Sequence, residues 1–121
     1  MAKKTAIIGA SDNPARYSFL ATNMLKEYDH AVVPLGIREG NIGGTEIITK
    51  WPDVIEGLDT VTLYIGPKRQ PELYDYVLGL KPKRIIFNPG TENNEFRKLA
   101  ESKGVQTEEA CTLVMLRTGQ F

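Results

Sequence analysis

Short apolar runs rich in β-branched residues recur along the chain at Thr5 to Gly9, Ala31 to Leu35, Val61 to Ile65 and Arg84 to Asn88, with a weaker one at Val105 to Thr107. Such runs read as strands buried on both faces, a burden that only a sheet covered by helices on each side can meet. The intervals between them carry helical patterns. In Ala15 to Tyr28 the residues Tyr17, Leu20, Ala21, Met24, Leu25 and Tyr28 fall on one helical face, and Asn13 before Pro14 fits an N-cap followed by proline at the first helical position.

Two further helices follow from Leu73, Tyr76, Val77 and Leu80 and from Phe96, Leu99 and Ala100, the second opened by Thr91 with Glu92 and Glu95 near its positive end. Ala110 to Leu116 reads as a short closing helix. Strands alternating with helices imply right-handed crossovers, and so an α/β, Rossmann-like three-layer domain with a mostly parallel sheet of five or six strands. Gly36 to Thr49 interrupts the alternation with four glycines and is expected to combine a loop with a short third strand at Glu46 to Thr49. With 121 residues, no internal repeat and no low-complexity linker, residues 1–121 are read as one domain.

Charge and cysteine content narrow the partners. Fifteen Lys and Arg balance fifteen Asp and Glu, so no overall field attracts nucleic acid. No run reaches the roughly 18 apolar residues that span a bilayer, and the start of the chain enters a strand with no signal-like apolar stretch. A lone Cys111 forms no internal disulfide. The expectation is a cytoplasmic protein with neither membrane nor nucleic acid as partner.

The first strand runs into "IIGASDNPARYS", residues 7 to 18. A strand, a tight glycine turn and a helix leave amides at the helix N-terminus, where they and the helix dipole favour a phosphate. Gly9 lets backbone approach a ligand, Ser11 adds a hydroxyl and Arg16 a charge-assisted contact. The second and third glycines of the dinucleotide fingerprint are missing. The second strand ends in "VPLGIR", without the acid that holds the ribose of NAD, whereas Arg38 suits a phosphate on the adenosine ribose, the 2′-phosphate of NADP or the 3′-phosphate of coenzyme A.

The stretches "GASDNPARYSF", "VVPLGIREGNIGG", "LDTVTLYIGP" and "FNPGTEN" occur in the order found in the small single-domain CoA-binding proteins, which resemble the CoA-binding domain of the succinyl-CoA synthetase alpha subunit. The resemblance spans roughly Thr5 to Glu109. It implies that the first βα loop and the loop after strand two receive the nucleotide end of CoA through Gly9, Ala10, Ser11, Pro14, Arg16, Ser18, Pro34 and Arg38. It also implies that Tyr64, Gly66 and Pro67, with Asn88, Pro89 and Gly90, line the same crevice. "YIGPKRQPE" departs from the Arg-Pro-Glu-like stretch of many relatives, and "ACTLVMLRTGQF" from their Cys-Pro-like ending.

No catalytic set emerges. His30 is expected on the amino-terminal side of strand two, away from the crevice. Cys111 has no nearby histidine and sits among apolar neighbours, which reads as a buried structural thiol. One Cys and one His make no zinc site, so no metal is expected. Tyr17, Tyr28 and Tyr76 are assigned to core stripes and Tyr64 to packing or ligand contact. The leading expectation is noncovalent binding of CoA or acyl-CoA by a sensor, carrier or accessory module without catalysis of its own, with a partner enzyme or a second copy of the chain as its protein partner. The rivals are an NADP-binding oxidoreductase-like or redox-sensing module and a ligand-free protein-interaction domain.

Overall fold

In the computed structural model, which describes residues 2–121, a five-stranded parallel sheet forms the centre. The strands are β1 (Thr5–Ile8), β2 (Val32–Leu35), β5 (Thr60–Leu63), β6 (Arg84–Phe87) and β7 (Gln106–Glu109), in the order β2-β1-β5-β6-β7. A separate antiparallel hairpin joins β3 (Asn41–Ile42) to β4 (Thr45–Glu46). The helices are α1 (Tyr17–Glu27), α2 (Tyr74–Gly79), α3 (Asn94–Ser102) and α4 (Thr112–Arg117). The Rossmann-like α/β architecture expected from the alternation is therefore present.

β1, β5 and β6 are buried along their whole length and β2 in its carboxyl half because each face meets helices, whereas the edge strand β7, Gln-Thr-Glu-Glu, is polar and stays partly exposed. Ala6 and Ile8 point with Val61, Leu63, Ile85 and Phe87 into a core closed by Val77 and Leu80 and by Phe96 and Ala100 of α3. Ile7 turns to the other face and packs on Leu25 of α1 and Leu116 of α4. This second face is also lined by buried threonines, and the hydroxyls of Thr62 and Thr112 meet at 2.8 Å.

Of the face expected for α1, Ala21 and Leu25 are buried, and small polar residues replace the tyrosines beside them. Ser18, Ala21, Thr22 and Leu25 are buried, while Tyr17 is 70% exposed and Leu20 and Tyr28 are also exposed. Small side chains let the helix sit close to the sheet, and the Thr22 hydroxyl donates to the Ser18 carbonyl at 2.8 Å, so its burial leaves no unpaired group. Hydrophobicity alone favoured the tyrosines, whose hydroxyls stay in water instead. Tyr76 is half-buried, and its hydroxyl donates to the Pro52 carbonyl at 2.6 Å.

Helix starts also move. Asn13 Oδ1 accepts from the Ala15 amide at 3.0 Å, closing a turn before the helix, so Arg16 takes the N-cap position of α1. Asn93, not Thr91, caps α3 by accepting from the Phe96 amide at 3.1 Å. Thr91 is instead buried, its hydroxyl donating to the Asn88 carbonyl. The third strand expected at Glu46 to Thr49 shrinks to one parallel bridge between Leu35 and Ile48, beyond the hairpin.

At the amino-terminal end of the sheet, far from the strands' carboxyl ends, His30 Nδ1 accepts from the Lys3 amide at 2.9 Å and its ring lies 4.9 Å from that of Phe121. Arg84, buried, pairs with Glu108 at 3.0 Å and lies 4.6 Å from the same Phe121 ring. Burial first, then the nearby charges of Lys3 and Arg84, lowers the His30 imidazole below its ordinary 6.5. The unfolded chain thus binds a proton that the folded chain refuses, so this contribution to stability is full above about 6.5 and is lost as pH falls below it. Urea unfolding between about pH 7 and about pH 5.5 is expected to show this slope, and His30→Asn, which keeps an acceptor without titrating there, to flatten it.

Candidate functional site

Within the main sheet the connection runs outward from β1 to β2 and then returns to the other side of β1 at β5. The crevice at such a reversal, outside the carboxyl ends of the strands, is where open parallel sheets hold ligands. A cleft of about 590 Å³ occupies that place, walled by the loops after β1, β2 and β5.

Two glycines let those loops meet. Gly9 has φ +97°, and a Cβ there would stand 3.2 Å from the Tyr64 backbone carbonyl. At Gly36 a Cβ would come within 2.7 Å of both the Ala10 carbonyl oxygen and Ile47 Cγ2. Any larger residue at either position would force a loop outward. The amides of Gly9 and Ala10 both donate to the Leu35 carbonyl at 3.0 Å, so they tie the turn to β2 and are not free for a ligand.

The free donors lie further along. α1 has no side-chain cap at Arg16 and no acid in its first turn, so its leading amides stand uncapped where Tyr17 and Ser18 border the cleft. Ser11 Oγ accepts from the Asn13 amide at 3.1 Å, which shapes the turn and leaves its hydroxyl hydrogen available.

Of the residues singled out in the sequence, Gly9, Ala10, Ser11, Arg16, Ser18, Arg38 and Tyr64 line this one cleft. The others stand outside its wall. Pro14 is exposed in the turn before α1, and Pro34 is buried in β2, its carbonyl accepting from the Ile48 amide. Gly66 and Pro67 are exposed at the start of a 3-10 turn, and Gly90 is exposed with its amide donating to Glu92.

Asn88 is committed to the interior. Its Nδ2 donates to Thr62 Oγ1 at 2.6 Å and to the Leu63 carbonyl at 2.8 Å, and its Oδ1 accepts from the Thr112 amide at 2.9 Å. One side chain thereby ties β5, β6 and the start of α4. Tyr64 lies beside this knot. Its hydroxyl is buried without a hydrogen-bond partner, and burial pushes the phenol up to about 12 despite the nearby hydroxyls of Thr112 and Thr62. Cys111, at the N-cap of α4, is half-buried rather than buried.

Several cleft residues were not legible beforehand. Trp51, the only tryptophan, forms part of the wall and fixes its ring by donating from Nε1 to the Gly36 carbonyl at 2.9 Å. Ile47, Leu73 and Arg69 join it. Ile47 and Trp51 follow the β3-β4 hairpin and not a strand of the main sheet, and only the chain's return over β2, at the bridge between Leu35 and Ile48, brings them there. Arg69 carried a signal in the unusual "YIGPKRQPE" stretch, read there only as a departure.

A parallel sheet with one reversal, helices on both faces and a cleft at the reversal define a Rossmann-like α/β protein. Residues 3–117 match the family described as CoA binding domain, and the chain belongs to that family. A crystal structure of an uncharacterised protein aligns with 100% of this chain and 99% of its own at 48% identity and TM-score 0.96. A hypothetical protein from Pyrococcus horikoshii OT3 matches at 24% identity and TM-score 0.86, over 97% of this chain and 83% of that one. A Thermus thermophilus protein matches at the same identity and TM-score, over 99% and 91% of the two chains, and these two likenesses concern the fold. Among curated proteins none matches.

Proposed function

We propose that the cleft binds CoA or acyl-CoA noncovalently, and that the protein serves as a sensor, carrier or accessory module without catalysis of its own. The observation that carries this reading is the convergence of Arg16, Arg38 and an uncapped helix N-terminus on the crevice at the sheet's reversal. Phosphates are the ligand groups such donors recognise. Ser11 and Arg16 face the diphosphate, Ser18 borders it and Arg38 takes the 3′-phosphate of the ribose. Tyr64 supports the ligand's far side, and Gly9 and Ala10 shape the turn. Pro14, Pro34, Gly66, Pro67, Asn88 and Gly90 act one layer back, by holding the loops.

NADP is the second reading, because Arg38 would serve its 2′-phosphate equally well. Calorimetric titration of the nucleotide-free protein with CoA, dephospho-CoA, NADP and NAD separates the two. CoA is expected to bind most tightly and to lose affinity without its 3′-phosphate; preference for NADP would transfer the site to a redox module. Silence toward all four would leave a protein-interaction domain that pairs through its apolar carboxyl-terminal segment.

A further inference from the structure

The cleft has a third guanidinium. Arg69 lines it from the loop after β5, whereas Arg16 comes from the loop after β1 and Arg38 from the loop after β2. None of the three is among the ion pairs of the described residues, which join Lys83 to Asp59, Arg84 to Glu108 and Arg97 to Glu101. The three cations therefore follow the strand order β2-β1-β5 across the carboxyl edge of the sheet.

The pedestal under Arg69 is firm. It closes a 3-10 turn, Pro67–Arg69, that begins with one proline and is followed by another at Pro71. The next residue, Gln70, is fully buried, with Nε2 donating to the carbonyls of Ile65 at 3.0 Å and Thr91 at 2.8 Å. Its Oε1 accepts from Asn93 at 3.0 Å. A polar side chain this buried and this fully bonded holds the turn in one position. Lys68, its neighbour in the same turn, is exposed and does not line the cleft.

Resting on the CoA reading above, we infer that Arg69 is a phosphate-binding residue that closes on the ligand's diphosphate from the β5 side, opposite Arg16. The strand before the Arg69 loop, β5, lies beside β1 on the side away from β2, whose loop carries Arg38. In strand order Arg69 is thus next to the β1 turn and on its far side from Arg38. Two guanidiniums on either side of a diphosphate match its two phosphoryl groups, and the uncapped amides of α1 supply neutral donors between them.

The test is titration of the folded protein and of Arg69→Gln and Lys68→Gln with CoA, dephospho-CoA and ADP, followed by Trp51 fluorescence and by calorimetry. Arg69→Gln is expected to weaken all three ligands by a similar factor of about ten or more, and Lys68→Gln by less than about twofold. Equal losses in both variants would overturn the assignment in favour of diffuse charge. A loss confined to CoA would move Arg69 to the 3′-phosphate and overturn it as well. Unchanged binding by Arg69→Gln, with CoA still bound by the unaltered protein, would sink this inference alone, whereas no CoA binding by the unaltered protein would sink the CoA reading itself.

Discussion

Asn88→Ala is expected to lower the unfolding free energy by about 2 to 4 kcal/mol in urea denaturation. The substitution removes three hydrogen bonds at once and leaves the buried Leu63 carbonyl and the Thr112 amide without their partner. Each stranded buried group costs about 1 to 3 kcal/mol, partly offset where water enters the space. Asn88→Asp is the sharper variant, because a carboxylate of the same shape still accepts from Thr112 but cannot donate to Leu63. It should destabilise at neutral pH to a similar extent. Since Asn88 lies behind the cleft wall, CoA affinity measured where both variants are fully folded should change by less than about threefold, a loss that separates a framing role from direct contact.

The second large effect concerns affinity. Arg38→Ala should cost about 1.5 to 3 kcal/mol of CoA binding, roughly 10- to 150-fold, and should leave dephospho-CoA affinity nearly untouched. Arg16→Ala should weaken both ligands alike, because it addresses the diphosphate. Both arginines are exposed and outside the described ion pairs, so neither substitution should shift folding stability by more than about 0.5 kcal/mol. Calorimetry across the two variants and two ligands checks the pattern: an Arg38 variant that still distinguishes CoA from dephospho-CoA would remove the 3′-phosphate from that position.

These two expectations divide the cleft between a contacting surface and the frame that holds it. Gly9 and Gly36 bring the loops together by lacking a Cβ, and Asn88 and Gln70 anchor the loops from behind. The arginines ride on that frame. Trp51 provides both a wall and an optical signal for its occupation.

The β-branched runs and their spacing were sufficient to determine a parallel, helix-covered sheet, because strands apolar on both faces have few other ways to escape water. The opening turn, with Gly9, Ser11 and Arg16, was legible for the same local reason: a glycine between strand and helix constrains the backbone within a few residues. Which face of α1 is buried was decided only in three dimensions, where the small side chains of Ser18, Ala21 and Thr22 gave close approach, with the Thr22 hydroxyl bonded back to the Ser18 carbonyl inside the helix, and outweighed the greater hydrophobicity of Tyr17 and Tyr28. The interior bonding of Asn88 and the arrival of Trp51 and Arg69 at the cleft were likewise tertiary outcomes. Each depends on a partner distant in the chain, Trp51 on Gly36 at a separation of 15, Asn88 on Leu63 at 25 and Gln70, which seats Arg69, on Thr91 at 21, and no local pattern records which distant backbone group a side chain will meet.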